Sequence, residues 1–435
     1  MEIDNGAKEF IMQKLLSEIE NYIKDIFPQL GLNKSRELVR LVFEISKKTK
    51  KTPQEILLKE NAKNFEQTKK YLINLRYKKP GNLADIYLPK LDLNFTPQAN
   101  LEEKIFNPQN IFIEDLSLNS SLAKRVKEKF PNTKITVFKG KFPLLKESYS
   151  ERKKNLIIYT EKFDFLKPCP CTKNANCCGY NLINLGFGCL YECNYCFLQQ
   201  YQNLPAIALP SNIEDFLAKI PTATFRRGIF NYIRLGSGEF TDSLLFDDIT
   251  NYSTDIIKFF EGRPELFEFK TKSVNIDNLL KLPAQKNIVV GWSVNPQNII
   301  NSVEPLTPSL KDRLTAAAKI AKYGYKVAFH FDPVIRHKNW QENYKNVVEQ
   351  IAKIVPKDSI VWISVGTLRF NRELKKFIEC RFPQNIILDE DFYLSFDGKM
   401  RYSDAERQEA YDFLKPLLEM TFPNTVVYLC MENQK

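Results

Sequence analysis

Three closely spaced cysteines are the residues in this sequence whose type and order most clearly indicate chemistry. Cys189, Cys193 and Cys196 lie in the stretch CLYECNYC, with three residues between the first two and two residues between the last two. A structural zinc site usually has four protein ligands, whereas a cubane iron–sulfur cluster held by three cysteines leaves one iron free for another ligand. The triplet therefore indicates a zinc site completed from elsewhere or an open iron–sulfur cluster.

The elements around the cysteines predict where the triplet lies in the fold. From residue 181 onwards, apolar strand patterns alternate with amphipathic helical patterns. Six strands are predicted: NLINLGF, NYIRLGS, LFEFKTK, NIVVGWSV, KVAFHFDPV and SIVWISVGT. Such alternation predicts an α/β fold with parallel strands, either a barrel or an open sheet. The triplet follows the first strand, at the edge where chemistry gathers in these folds.

CLYECNYC resembles the signature of the radical SAM superfamily, Cys-x-x-x-Cys-x-aromatic-Cys, with Tyr195 as the aromatic residue. The resemblance implies a partial (β/α)6 TIM-type barrel, preceded here by a small α/β element and a helical region. It implies that Cys189, Cys193 and Cys196 hold a [4Fe–4S] cluster whose open iron binds S-adenosyl-L-methionine. Reductive cleavage of that cofactor would give a 5′-deoxyadenosyl radical, with a reductant such as flavodoxin or ferredoxin as partner.

Longer stretches narrow the resemblance to one family. The following stretches are similar, in this order, to spore photoproduct lyase and its relatives: CNYCFLQ, GEFTDSLLFDDIT, FKTKSVNIDNLL, NSVEPLTPSLKDRLTAAAKIAKYGY, DPVIRHKNWQENY and FPNTVVYLCME. In that family the radical takes a hydrogen from a thymine lesion of spore DNA, and the two thymines are restored. The resemblance therefore implies a lyase in DNA repair, acting on a nucleic-acid substrate.

Five further residues are candidates for cofactor or substrate contacts. Gly236 and Gly238, in GSGE after the second strand, resemble the Gly-Gly-Glu-like turn that meets the methionyl amino group, and a plain strand-ending turn is the alternative. Ser293 and Asn295 match a Ser-x-Asn pair of the family. Lys272, in KTKS, matches a lysine that the family uses near the cofactor or substrate, although a surface lysine is the default there.

Other positions depart from the family's pattern. Where the lyase has a hydrogen-donating cysteine after the second barrel strand, this sequence has Gly238, Glu239 and Phe240. Phe197 replaces a tyrosine directly after the last cluster cysteine, and YLSFDGKMRY replaces an arginine-bearing loop near the C-terminus. The lyase reaction and radical chemistry on an unrelated substrate therefore both stay open.

The remaining cysteines and the histidines give weaker signals. An auxiliary iron–sulfur cluster, a replacement hydrogen-donor thiol and ordinary loop thiols are the alternatives for Cys169, Cys171, Cys177, Cys178 and Cys430. Adjacent cysteines seldom ligate one metal together, because their side chains diverge. His330 and His337 have no second histidine at ligand spacing, so neither is predicted to bind metal.

Composition limits the function classes. The chain of 435 residues has 43% hydrophobic and 26% charged residues, which is typical of a globular protein. Its net charge of +11 favours a polyanionic partner such as nucleic acid, and a solvated lysine-rich surface explains the charge equally well. A non-catalytic, zinc-stabilised nucleic-acid-binding protein is therefore the rival interpretation from another class.

Four regions are predicted: a helical region (1–100), a small α/β subdomain (101–167), the barrel (168–380) and a C-terminal extension packed on it (381–435). No apolar run is long enough for a membrane span, the N-terminus is unlike a signal peptide, and free cysteines are typical of a reducing compartment. The sequence therefore predicts a cytoplasmic location and no membrane partner. Thr52, Pro53 and Glu55 predict a capping box, opening a helix that runs towards Arg76.

Overall fold

The computed structural model describes residues 5–432, except for residues 62, 79–100, 102–104, 146–147, 172–174, 176, 203, 226–227 and 396. Contacts divide the chain into two units. One unit contains residues 1–99 and 369–407, and the other contains residues 100–368 and 408–435. The four-region division drawn from the sequence stays a prediction.

The described helices and strands have the following bounds. The α-helices are α1 (Asn5–Ile26), α2 (Leu32–Thr49), α3 (Pro53–Ile56), α4 (Phe65–Arg76), α5 (Ser121–Lys129), α6 (Leu198–Tyr201), α7 (Ile213–Lys219), α8 (Asp247–Thr250), α9 (Tyr252–Phe259), α10 (Gln297–Val303), α11 (Leu310–Tyr323), α12 (Trp340–Ile354), α13 (Leu374–Arg381) and α14 (Asp404–Thr421). The strands are β1 (Asn110–Glu114), β2 (Lys134–Phe138), β3 (Asn155–Tyr159), β4 (Leu166–Pro168), β5 (Tyr180–Ile183), β6 (Ile207–Pro210), β7 (Arg234–Ser237), β8 (Leu266–Thr271), β9 (Ile288–Ser293), β10 (Lys326–Val334), β11 (Ile360–Thr367), β12 (Arg369–Asn371), β13 (Tyr393–Leu394), β14 (Lys399–Arg401) and β15 (Val426–Leu429). None of the described helices is both long and apolar enough to cross a bilayer.

Helices α1 to α4 pack their apolar faces together in the first unit. The predicted capping box at the start of α3 is confirmed: the Thr52 N–H donates to the Glu55 carboxylate at 2.7 Å, and the Glu55 N–H donates to Thr52 Oγ1 at 3.3 Å. The prediction of one helix from this cap to Arg76 is wrong. Helix α3 ends at Ile56, and Asn64 caps a separate helix, α4, by accepting from Gln67 N.

Residues 369–407 are attached to these helices by buried ion pairs within the same unit. Arg76 of α4 pairs with Glu44 of α2 at 2.9 Å and with Asp391 at 3.1 Å. Lys375 of α13 also reaches Glu44, at 3.3 Å. These charges are shielded from water, so each cation compensates a carboxylate that would be costly to bury alone.

The second unit is built around an eight-stranded, curled half-barrel sheet with the order β15-β11-β10-β9-β8-β7-β5-β4. All neighbouring pairs are parallel except β4–β5. The six predicted strands are confirmed as β5 and β7 to β11. The helix predicted between β8 and β9 is wrong, because only a 3-10 turn at Leu279–Lys281 is present there.

A smaller parallel sheet has the order β2-β1-β3-β6. The sequence predicted a small α/β subdomain over residues 101–167, where β1, α5, β2 and β3 lie, but it did not predict β6, which follows the cysteine loop (residues 184–206). This loop therefore leaves the large sheet after β5 and enters the small sheet at β6. Its first part is also fixed to β6, since Phe187 and Ala208 exchange backbone hydrogen bonds of 2.8 and 2.9 Å.

A buried polar network lies among the strands of the large sheet. Glu268 accepts from His330 Nε2 at 2.6 Å and from Arg234 at 3.3 Å, and His330 Nδ1 lies 2.7 Å from Ser364 Oγ. Gly291 leaves the space for this arrangement, because a Cβ atom there would lie 2.2 Å from Glu268 Oε1. Although burial opposes ionisation, His330 and Arg234 lower the Glu268 pKa to about 2. Burial lowers the pKa of His330.

We expect this network to make the protein less stable in acid. The folded state binds a proton at His330 and Glu268 less readily than the unfolded chain, so their contributions are present above the unfolded pKa values and are lost as pH falls. For His330, denaturant unfolding should therefore show a falling free energy between about pH 7 and about pH 5, and His330→Gln should flatten this slope. The Glu268 contribution is lost only below about pH 5, because its pKa is lowered from 4.5 to about 2. An unchanged slope in His330→Gln would contradict the assignment.

Candidate active site

The cysteine loop gathers the three predicted ligands. Cys193 is buried and Cys189 and Cys196 are partly buried, with a turn closed by the 3.0 Å bond from Cys196 N to Cys193 O. Burial raises the pKa of Cys189 to about 12 and raises that of Cys193 well above its ordinary value. Negative charge on the neighbouring triplet thiols raises both pKa values further. The three thiols are therefore within electrostatic reach of one another.

The donor set fits an iron–sulfur cluster better than a preformed mononuclear site. Within the described part of the chain, no group of three or more Cys, His, Asp or Glu side chains is arranged to hold a metal ion. Three soft thiol donors in a buried loop are nevertheless the ligand type that iron–sulfur clusters use. The buried Asn194 side-chain oxygen, which lacks a hydrogen-bond partner, adds a further polar atom to this loop.

One side of the loop is held by buried cations from the 3-10 turn Tyr149–Lys154, which leads into β3 of the small sheet. Arg152 donates to the carbonyl oxygens of Cys189 at 2.7 Å and Tyr191 at 3.0 Å. The same guanidinium pairs with Glu192 at 3.0 Å, and Lys153 reaches this carboxylate at 3.4 Å. Since Arg152 and Glu192 are almost completely buried, this pair fixes the loop without access to water.

The other side of the loop docks on residues 302–305, at the C-terminal end of α10. The backbone N–H groups of Glu192 and Asn194 donate to the carbonyls of Pro305 and Val303, at 3.1 and 2.8 Å. The side-chain amide of Asn194 adds a 3.4 Å bond to a third carbonyl in this segment. The loop is thus held between two parts of the unit that are far apart in sequence.

A single carboxylate in the docking segment joins several predicted site residues. Glu304 accepts from the Tyr195 hydroxyl, from Asn295 Nδ2 at 2.8 Å and from Arg313 at 2.7 Å. Burial alone would raise the pKa of Glu304, but the charges of Arg313 and Lys272 lower it to about 2. Glu304 is therefore an anion in the folded protein.

Lys272 and Asn295 lie at the carboxyl ends of neighbouring strands. The Lys272 backbone N–H donates to Asp242 at 2.7 Å, and its ammonium lies 5.7 Å from the centre of the Tyr195 ring. Although burial opposes it, the charge of Glu304 raises the Lys272 pKa. The Asn295 side-chain oxygen accepts from Tyr344 at 2.6 Å, so the orientation of the amide is fixed from both ends.

Gly236 and Gly238 are both required by the backbone at the end of β7. A Cβ atom on Gly236 would lie 2.0 Å from the Tyr180 hydroxyl. Gly238 has a φ of +101°, and a Cβ there would lie 2.7 Å from the carbonyl of Lys270. These contacts explain the two glycines without a ligand, and their role in cofactor binding stays a prediction.

Most of the predicted contact residues lie close together in the structure. The residues that hold them in place, Glu304 and Arg313, were not predicted from the sequence. Tyr195, Lys272 and Asn295 meet around Glu304, while the Ser293 carbonyl joins through a 2.9 Å bond from Arg313. The sequence carried one usable signal. This signal is Arg313, which lies in an apolar stripe of α11 with Leu310, Leu314 and Ala317. A charged residue in such a stripe indicates a buried ion pair.

The additional cysteines lie near one another, outside the triplet. A hydrogen bond with Cys171, together with burial, raises the pKa of Cys169, and the charges of Cys430 and Cys178 act in the same direction. The Cys177 sulfur accepts from Gly179 N at 3.3 Å. Residues 172–174 and 176 of this stretch lie outside the described residues. The auxiliary cluster and the replacement donor thiol stay predictions.

Comparison with known proteins identifies the family. A family model described as spore photoproduct lyase matches residues 106–430. The chain belongs to the spore photoproduct lyase family. Spore photoproduct lyase from Bacillus subtilis (strain 168) is 27% identical over 347 residues, covering 74% of this chain and 98% of that protein. The enzyme of the same name from Geobacillus sp. (strain Y412MC61) is 26% identical over 351 residues. The recognition from sequence, as a radical SAM enzyme of this family, is confirmed.

Solved structures of spore photoproduct lyase are similar as well. Spore photoproduct lyase complexed with dinucleoside spore photoproduct matches with a TM-score of 0.64 and 25% identity, covering 74% of this chain and 99% of that chain. A mutant spore photoproduct lyase with bound AdoMet and dinucleoside spore photoproduct matches with a TM-score of 0.62 and 25% identity. The similarity thus extends over nearly the whole of these lyases.

Arg152→Met tests whether the buried ion pair positions the cysteine loop. Removing one partner of a buried pair leaves a poorly compensated charge, so we expect a loss of about 3–5 kcal/mol in unfolding free energy, together with reduced iron incorporation during anaerobic reconstitution. The matched control is Arg125→Met, which removes bonds to the carbonyls of Ile249 and Thr250 and should leave iron incorporation intact. Normal iron incorporation by the Arg152 variant would contradict the positioning role.

Proposed function

We propose that this protein is a radical SAM enzyme of the spore photoproduct lyase family that acts on a nucleic-acid substrate, with a thymine photolesion as the leading candidate. The half-barrel sheet corresponds in this proposal to a partial (β/α)6 barrel. Cys189, Cys193 and Cys196 would hold a [4Fe–4S] cluster. The proposed contacts with S-adenosyl-L-methionine or substrate are Tyr195, Gly236, Gly238, Lys272, Ser293 and Asn295.

One observation carries the proposal: the loop after β5 brings three thiols within electrostatic reach of one another, and Tyr195 of this loop shares Glu304 with Asn295 after β9. When bound, the cluster and its cofactor would supply reductive cleavage of a sulfonium bond and a carbon radical. The carboxyl ends of parallel strands are where α/β proteins place such chemistry.

The chain's own residues have distinct tasks in this proposal. The Lys272 ammonium lies within electrostatic reach of Cys193 and supplies positive charge beside the thiolates. Asn295, whose amide orientation is fixed by Tyr344 and Glu304, presents a rigid polar edge. Burial of the loop between Arg152 and residues 302–305 shields the Cys193 thiol from water, while Cys189 and Cys196 are partly buried. A reductant such as flavodoxin or ferredoxin would deliver the electron.

A second candidate function is radical SAM chemistry on another substrate. Phe197 and Phe240, which stand where the family has a tyrosine and near its donor cysteine, contact each other with ring centres 6.0 Å apart. Phe240 also stacks on Phe187 at 5.2 Å, and the Lys167 ammonium lies 4.4 Å from its ring centre. One ring of this aromatic pair thus stands where the family has an O–H group, and the other lies in the loop that carries the family's S–H group.

Substitution of the cysteine triplet tests the proposed chemistry. A protein with Cys189→Ala, Cys193→Ala and Cys196→Ala should lose the brown iron–sulfur absorption and form no 5′-deoxyadenosine from S-adenosyl-L-methionine under dithionite. The control is Cys380→Ala, which changes a cysteine on α13 and should retain both. Retained 5′-deoxyadenosine formation in the triple variant would contradict the proposal, and zinc in place of iron in the parent protein would favour the non-catalytic rival.

Incubation with dinucleoside spore photoproduct separates the two enzymatic candidates. If the protein is a lyase, anaerobic turnover with S-adenosyl-L-methionine and dithionite should release thymine units as the lesion is consumed. If it acts on another substrate, 5′-deoxyadenosine should form while the photoproduct remains or is converted to adducts. The products are separated and measured by liquid chromatography with mass spectrometry.

A further inference from the structure

Glu304 is a buried carboxylate whose partners come from three separate segments of the second unit. It follows α10 and is almost completely buried, yet it carries a negative charge. Its carboxylate is shared: Oε1 accepts from the Tyr195 hydroxyl and Asn295 Nδ2, and Oε2 accepts from Arg313. These partners come from the cysteine loop, from the residues after β9 and from α11.

Arg313 holds Glu304 in place. Besides pairing with Glu304, its guanidinium donates to the Ser293 carbonyl at 2.9 Å, to Thr307 Oγ1 at 2.6 Å and to the Pro308 carbonyl at 3.0 Å. With this many bonds a guanidinium has little freedom to rotate. The carboxylate is therefore a fixed acceptor rather than a mobile one.

The residues directly before and after Glu304 also bind the cysteine loop. Val303 and Pro305 accept the backbone N–H groups of Asn194 and Glu192. Glu304 lies between these two carbonyls and binds the next side chain of the loop, Tyr195. Along this short contact, hydrogen bonds from the backbone of the loop lie beside the hydrogen bond from the Tyr195 side chain. The contact lies next to two of the three triplet cysteines, Cys193 and Cys196.

We propose that Glu304 is a positioning residue that fixes the cysteine loop and the Asn295 amide in one arrangement, and so sets the geometry in which the site receives its cofactor. This inference rests on the proposed function for the identity of the cofactor. The effect of Glu304 on the position of the loop is a property of the protein alone, and it can be measured without the cofactor.

Glu304→Gln removes the negative charge and one acceptor oxygen, and it keeps the side-chain volume nearly unchanged. An amide has one oxygen, so it can accept either from Arg313 or from Tyr195 and Asn295, and its NH₂ group then faces donors on the other side. Tyr195→Phe removes only the hydroxyl. Glu114→Gln is the matched control, because Glu114 is also buried but accepts from Thr160 N and Lys162 elsewhere in the unit.

The first readout is hydrogen–deuterium exchange of the full-length, metal-free protein. Glu304→Gln should accelerate exchange in peptides covering residues 189–197 about tenfold, as the loss of a charge-assisted hydrogen bond implies, while β10 and β11 stay protected. Tyr195→Phe should accelerate exchange in the same peptides, and exchange in the double variant should be no faster than in Glu304→Gln.

Unchanged exchange in Glu304→Gln, or fully additive effects in the double variant, would overturn the proposal. If Glu304→Gln does not fold, Tyr195→Phe alone decides by the same peptides.

The second readout is spectroscopic and separates this inference from the proposed function. In anaerobically reconstituted protein reduced with dithionite, addition of S-adenosyl-L-methionine should change the electron paramagnetic resonance signal of the parent and Glu114→Gln. In Glu304→Gln the change should require at least about tenfold more cofactor, since a less fixed site binds it more weakly. Equal cofactor requirements would overturn the positioning role. A parent without a cluster would refute the proposed function, while the exchange result would still test the loop.

Discussion

The position of the cysteine loop depends on two buried ion pairs, one on each side of it. Arg152 and Glu192 hold the loop from the small α/β element, and Glu304 and Arg313 hold it from the residues that follow β9. Apolar contacts also hold the loop, since Leu185 and Leu190 belong to the large apolar core. Charges buried away from water, by contrast, tolerate only arrangements in which every partner is present.

Buried ion pairs of this kind are a costly way to gain stability. Desolvation of both charges offsets much of their attraction, and a well-packed apolar pair often stabilises a fold equally well. Their presence beside the triplet is better explained by the geometry that they impose. Three thiols must approach one ligand group together, and a loop that shifted by about 1 Å would no longer present them correctly.

Much of the large sheet was predictable, because most of its strands are short apolar runs bounded by turn residues. Strand β6 was missed, since its four residues follow the cysteine loop directly and pair with β3, far back in the sequence. The long helix towards Arg76 was also mispredicted, because Asn64 offers a local cap that competes with continuation.

The candidate site was predictable to the extent that residue types identify it. The spacing of the triplet and Tyr195 pointed to the loop directly. Glu304 and Arg152 carried no such signal, since a charged residue in a sequence is exposed by default and only the fold shows that these are buried. The contact between Phe197 and Phe240 was likewise invisible, although both had been noted separately as departures from the family.

The central claim is that Cys189, Cys193 and Cys196 hold an open iron–sulfur cluster that binds S-adenosyl-L-methionine. Electron paramagnetic resonance of the anaerobically reconstituted, dithionite-reduced parent protein, combined with iron analysis, tests it most directly. The account predicts at least about four irons per chain and a reduced-cluster signal that changes when S-adenosyl-L-methionine is added. A colourless protein containing zinc, or a cluster signal that the cofactor leaves unchanged, would contradict it.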